Sequence, residues 1–143
     1  MIFRDINIKE LTEAALDARG KAYVPYSNYA VGAALLCADG SIVKGANIEN
    51  ASYGATVCAE RCAVFSAVAS GRKDFVAIAV VGGKVTENEL TDYAYPCGIC
   101  RQVLREFTDP SEFTVIVARS VSDHKVYKLE ELLPESFGPD HLN

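Results

Sequence analysis

No stretch of this sequence approaches the roughly 18–20 consecutive apolar residues that a membrane-spanning helix needs. Residues 1–10 hold no apolar segment of the kind a secretory signal carries. The expectation is a cytoplasmic protein without membrane attachment. Positive charge is also short: 14 Lys and Arg stand against 19 Asp and Glu, a net charge of −5. Gripping a nucleic-acid polymer needs clustered cations, so a small neutral ligand suits this balance better. Repeats, low-complexity tracts and linkers are missing, and 143 residues is the length of one ordinary core. We therefore expect one domain over 1–143. Five cysteines is an odd number, which with the missing signal favours reduced thiols over a disulfide framework.

What is present is a well-patterned folding chain, half apolar and 23% charged. Asn7 with Glu10 three residues on marks a helix start, and the apolar spacing from Ile8 predicts an amphipathic helix over 8–22, ended by Pro25. Asp39-Gly40 between two apolar runs, 31–36 and 42–46, is a hairpin signal. A second helix spans 58–70, with Gly71 as its stop. It is apolar nearly all round, so it needs cover on most sides, from a sheet and from another subunit. The run 75–81 reads as a central buried strand, and 82–95 as a polar loop. Pro96 opens a third helix reaching about residue 107. Strands over 113–118 and 125–129 are joined by too short a link for a parallel crossover, so they pair antiparallel. A short helix over 129–133 ends at Pro134.

Two cysteine stretches carry the chemistry. One is Cys58-Ala59-Glu60-Arg61; the other is Pro96-Cys97-Gly98-Ile99-Cys100-Arg101-Gln102. Each falls at a helix N-terminus beyond a strand, and ligands of α/β sheets gather outside the carboxyl ends of the strands. Helix N-termini favour thiolates. Three thiolates on zinc with an open fourth position make a catalytic centre, whereas four make a closed structural one. Cys62, at i+4 from Cys58, leaves the closed site conceivable, although a buried cysteine deep in an apolar helix usually packs as a small hydrophobe. A lone C-x-x-C also fits a redox pair, which leaves Glu60 and Arg61 unexplained. Asn47-Ile48-Glu49-Asn50 reads either as solvated turn residues or as a polar clamp for hydroxyl groups. Cys37 is read as a core residue, and His124 and His141 receive no ligand role.

Both cysteine stretches, Pro25-Tyr26-Ser27-Asn28-Tyr29-Ala30-Val31-Gly32-Ala33-Ala34, the Asn47 to Asn50 motif and the segment from Glu131 to Pro139 occur in one order. In this the sequence resembles the short zinc-dependent cytidine deaminases that act on free nucleosides, across nearly its whole length. The resemblance implies a three-layer α/β/α fold with a five-stranded mixed sheet. It implies one zinc per subunit on Cys58, Cys97 and Cys100, with zinc-bound hydroxide attacking C4 of cytidine or 2′-deoxycytidine to give the uridine product and ammonia, a pyrimidine-salvage reaction. Glu60 would shuttle the protons. Asn47 and Glu49 would hydrogen-bond the ribose 3′-hydroxyl, the Ala59 backbone N–H would hold the base, Tyr29 would pack near it, and Arg61 would donate to the thiolates. The resemblance further implies a homotetramer in which Tyr53 and Phe137 contribute across the interface.

The sequence departs from the family pattern at four positions. Tyr29 stands for a usual Phe, Tyr95 for a small hydroxyl residue, Cys62 for a common Thr and Gly54 for a common Pro. Three readings compete: a nucleoside deaminase, a deaminase of aminonucleoside antibiotics or of polynucleotide, and a zinc module without catalysis. The Asn47 and Glu49 pair favours the first over an antibiotic deaminase, because a site built for hydroxyls rejects ligands that cannot pair with it. The acidic balance and the antiparallel last strands, parallel in the polynucleotide editors this family resembles, disfavour a polymer substrate.

Overall fold

In the computed structural model, which describes residues 5–143, five strands form one sheet in the order β2-β1-β3-β4-β5. The strands are β1 (Tyr29–Cys37), β2 (Ile42–Ala46), β3 (Phe75–Lys84), β4 (Thr114–Ser120) and β5 (Asp123–Lys128). The helices are α1 (Ile8–Arg19), α2 (Ala59–Ala69), α3 (Gly98–Glu106) and α4 (Leu129–Leu132). β1 pairs antiparallel with both β2 and β3, β3 with β4 parallel, and β4 with β5 antiparallel. This is the expected five-stranded mixed sheet with an antiparallel last pair. β3 is the central strand, and Ala77 to Val81 are fully buried.

The period-two alternation of strand side chains divides the core into two. Leu36, Ala79, Val81 and Ile116 pack with Leu11 and Ala15 of α1 on one face. Leu35, Ile78, Val80 and Val117 pack with Ala63 and Val64 of α2 and Leu104 of α3 on the other. The result is the three-layer α/β/α arrangement. On the second face α2 approaches β2 very closely. A Cβ on Gly45 would lie 2.4 Å from the Ala59 carbonyl oxygen and 2.5 Å from the Ala63 nitrogen. Only glycine permits that contact, and it sets the height of the α2 N-terminus above the sheet.

Several element boundaries differ from the sequence expectation: β1, β4 and β5 are each displaced by two residues at one end, and three further differences shape the site. α1 stops at Arg19, not residue 22, because the chain must straighten to pair with the segment leaving β2. The Tyr23 amide donates to Asn47 O at 3.0 Å, and the Glu49 amide donates to Tyr23 O at 2.8 Å. β3 runs on to Lys84, three residues past the expected end, because Gly82, Gly83 and Lys84 find partners in Val31, Ala30 and Tyr29. Pro96 lies outside α3: Cys97 is the N-cap, with extended backbone at φ −68° and ψ 169°. Asn7 caps α1 as expected, its side chain accepting from the Glu10 amide at 3.0 Å. Gly71 takes φ +92° just past α2, the left-handed conformation that suits a helix stop. Among the described residues no helix is long and apolar enough to cross a membrane.

Candidate metal centre and active-site cleft

β2 and β3 both run antiparallel to β1, so their carboxyl ends lie at the same end of the sheet. There the chain leaves β2 into Asn47, leaves β3 into the loop that ends at Cys97, and starts α2 at Cys58. Cys58 is the N-cap of α2 and Cys97 that of α3, while Cys100 sits in the first turn of α3. The three sulfur atoms lie within 4.8 Å of one another, and Cys58 and Cys97 are 3.9 Å apart. Tetrahedral bonds of about 2.3 Å from zinc to sulfur place two thiolates about 3.8 Å apart, close to the Cys58–Cys97 spacing.

Cys62 is not part of the trio. It lines a separate groove with Asp17, Lys21, Lys44, Ala46 and Ile48, between α1, β2 and α2. A closed site with Cys62 as fourth thiolate is thereby overturned. One helical turn carries the Cys62 side chain away from the N-terminus, where Cys58 meets α3.

The electrostatics differ from thiol to thiol. Cys58 accepts from the Cys100 thiol and from the Arg61 guanidinium, whose Nη2 lies 3.3 Å from its sulfur. Those donors hold Cys58 well below the usual thiol range. Cys100 is pushed up, because it donates to Cys58 and is buried. Glu60 projects from the first turn of α2 and is only 4% exposed. Burial, helped by the negative charge on Cys58, pushes its carboxyl up to about 7. A carboxyl balanced near neutrality can both take and return a proton.

A cleft of about 250 Å³ opens over these groups, lined by Tyr29, Val31, Asn47, Cys58, Ala59, Glu60, Tyr93, Ala94, Tyr95 and Cys97. The structure thus brings together Tyr29, Asn47, Cys58, Ala59, Glu60 and Cys97, with Arg61 and Cys100 behind them. The Asn47 amide is anchored to β1, accepting from the Val31 amide and donating to Tyr29 O, each at 2.9 Å. Glu49 stands outside the cleft lining. Its carboxylate gathers the 26–27 loop, accepting from the Tyr26 and Ser27 amides at 3.0 and 3.1 Å and from the Ser27 hydroxyl. Tyr53 and Phe137 are surface residues, 75% and 56% exposed, and neither lines the cleft. Tyr53 packs edge-on against Tyr26, and Phe137 stacks on His141.

The sequence expectation put Tyr93 in a polar loop and gave Tyr95 no role beyond its departure from the family pattern, yet both residues line the cleft. Two aromatic residues just before a Pro-Cys metal motif were the available signal.

A three-thiol cluster, with a buried carboxyl beside it in a cleft above a mixed sheet, defines a metal-binding α/β protein. Residues 6–117 match the family described as the cytidine and deoxycytidylate deaminase zinc-binding region. The cytidine deaminase of Halalkalibacterium halodurans is 48% identical over 133 residues, covering 93% of this chain and 96% of that protein. The cytidine deaminase of Mycobacterium tuberculosis is 44% identical over 141 residues, 96% of this chain and 95% of that one. A crystal structure of cytidine deaminase from Burkholderia pseudomallei superposes with a TM-score of 0.82 at 46% identity, covering 92% of this chain and all of that one. The chain belongs to the zinc-binding cytidine and deoxycytidylate deaminase family.

Proposed function

We propose that the chain acts as a single cytidine deaminase domain, converting cytidine and 2′-deoxycytidine to uridine and 2′-deoxyuridine with release of ammonia. The observation that carries this reading is Glu60, buried at the cleft floor beside the three-thiol cluster. Cys58, Cys97 and Cys100 would hold the zinc. The chemistry zinc supplies when bound is the acidification of a water, which makes a nucleophile available near neutral pH.

Glu60 does the proton work. It takes one proton from the attacking water and delivers it to N3 of the ring as C4 becomes tetrahedral, then takes the second from the new C4 hydroxyl and gives it to the amino group, which leaves as ammonia when the C4–N bond breaks. Its burial suits this cycle, because a carboxyl held near neutrality has no strong preference for either state. The N–H of Ala59 belongs to the first turn of α2, where helix amides lack intrahelical partners. It is therefore free to hold a pyrimidine oxygen in the cleft.

Asn47 holds its amide toward the cleft while bonded to β1, and it retains one N–H and one lone pair for a ribose hydroxyl. Glu49, two residues on, belongs to the same clamp through the 26–27 loop. Tyr29 packs near the base. Arg61 donates to the Cys58 thiolate and offsets the excess negative charge at the metal. The exposed aromatics Tyr53 and Phe137 complete the neighbouring sites of a homotetramer, and the exposed Phe65 of α2 suits burial in the same assembly. The setting is cytoplasmic pyrimidine salvage, with no polynucleotide substrate, consistent with the net charge of −5.

The test is the loss of absorbance as each nucleoside is deaminated, with ammonia measured in parallel. Both substrates should be converted, since the clamp addresses the 3′ position. Zinc-loaded protein that releases no ammonia from either would end this reading.

A further inference from the structure

Two of the cleft-wall residues are held in place from outside the cleft. The Tyr93 hydroxyl donates to the Asp123 carboxylate, at the start of the edge strand β5. Asp123 is itself fixed by Arg119, whose Nε lies 2.7 Å from its Oδ2, and Arg119 Nη1 reaches back to Thr91 O at 3.2 Å. The Tyr93 ring carries the Arg119 guanidinium and the Lys125 ammonium at 4.5 and 4.6 Å from its centroid. Two residues on, the Tyr95 hydroxyl meets the Tyr127 hydroxyl of β5 at 3.1 Å, with the two rings edge to face at 5.9 Å. The loop from residue 85 to Cys97 contains no helix or strand of its own. Its inward side faces the ligand space, and its outward hydroxyls are gathered by the β4–β5 hairpin.

We propose that Asp123 and Tyr127 are positioning residues for the substrate: by holding Tyr93 and Tyr95, they set the cleft wall against which the nucleoside binds. A wall pre-ordered in this way spares the ligand the cost of immobilising two aromatic side chains on binding. Neither Asp123 nor Tyr127 reaches the cleft, so the effect falls on substrate affinity, while the proton work of Glu60 is untouched. This rests on the deaminase reading for its substrate but uses residues that reading leaves without a role. It also gives the large Tyr95 side chain a purpose of its own.

The experiment compares Tyr127→Phe, Tyr95→Phe, the double variant and Asp123→Asn as zinc-loaded proteins, measuring kcat and KM for cytidine, zinc content and Tm. Tyr127→Phe keeps the ring contact and removes only the hydroxyl, and should raise KM about fivefold, the scale of one net hydrogen bond. kcat should stay within about twofold, the signature of lost uniform binding. Asp123→Asn should act in the same direction. The Tyr127→Phe and Tyr95→Phe effects should not add, because either change alone breaks the same pair. A residue that merely stabilises the hairpin would lower Tm without moving KM. Unchanged KM in both Tyr127→Phe and Asp123→Asn, a loss confined to kcat, or strictly additive tyrosine effects would overturn the proposal. A wild-type protein that converts no cytidine would instead overturn the deaminase reading on which it rests, so the two failures are distinguishable.

Discussion

The guanidinium of Arg61 donates to the sulfur of Cys58 over 3.3 Å, from a position three residues along the same helix start. The geometry follows from the N-cap placement of Cys58, whose sulfur stands where side chains of the first turn can reach back. Three thiolates on a dication leave about one excess negative charge, and a donor to sulfur lessens it. Arg61→Gln should keep the fold and weaken zinc binding by about 10- to 100-fold, the usual cost of losing a partner behind a metal ligand. Competition with a chromogenic chelator measures this. Wild-type zinc affinity in the variant would show that the contact is incidental.

Glu60→Ala should leave one zinc per chain and a normal Tm while reducing turnover by about a thousandfold, within the range expected of a lost acid/base group. The expectation comes from its burial beside the thiols without membership in the trio. Metal loss in this variant would make Glu60 a ligand, and undiminished turnover would remove it from the reaction.

Cys62→Ala should retain zinc and turnover, since its side chain lines the groove beside Lys44 and not the thiol cluster. Metal analysis and the absorbance assay on the same sample decide the matter. A fall in bound zinc would return Cys62 to the coordination sphere.

Gly45→Ala should destabilise the protein by about 2–3 kcal/mol, because the added methyl meets backbone atoms that cannot rotate aside. For a chain of this length that is a Tm lower by roughly 7–10 °C. The variant should also bind zinc less well, since α2 must lift and take Cys58 with it. An unchanged Tm would show that β2 and α2 separate easily.

Much of this was readable from the residues. The Asp39-Gly40 turn, the Asn7 cap and the Gly71 stop are local signals, and each marks the expected element. The antiparallel β4–β5 pair followed from the link length alone. The end of α1 was not readable, because Tyr23 leaves the helix to pair with a segment more than twenty residues away. The extra residues of β3 were hidden for a similar reason: Gly82 and Gly83 look like loop in sequence and become strand only beside β1. At the site, the cysteine spacing pointed to the trio, and helix geometry places Glu60 and Cys62 on different sides of α2. The aromatic wall was missed because Tyr93 and Tyr95 are fixed by β5, a partner some thirty residues on.

The most direct measurement is cytidine turnover against zinc added to metal-stripped protein, with bound zinc counted in the same samples. The account predicts that activity rises in proportion to bound metal and saturates at one zinc per chain. Turnover independent of zinc, or none at one equivalent, would contradict it.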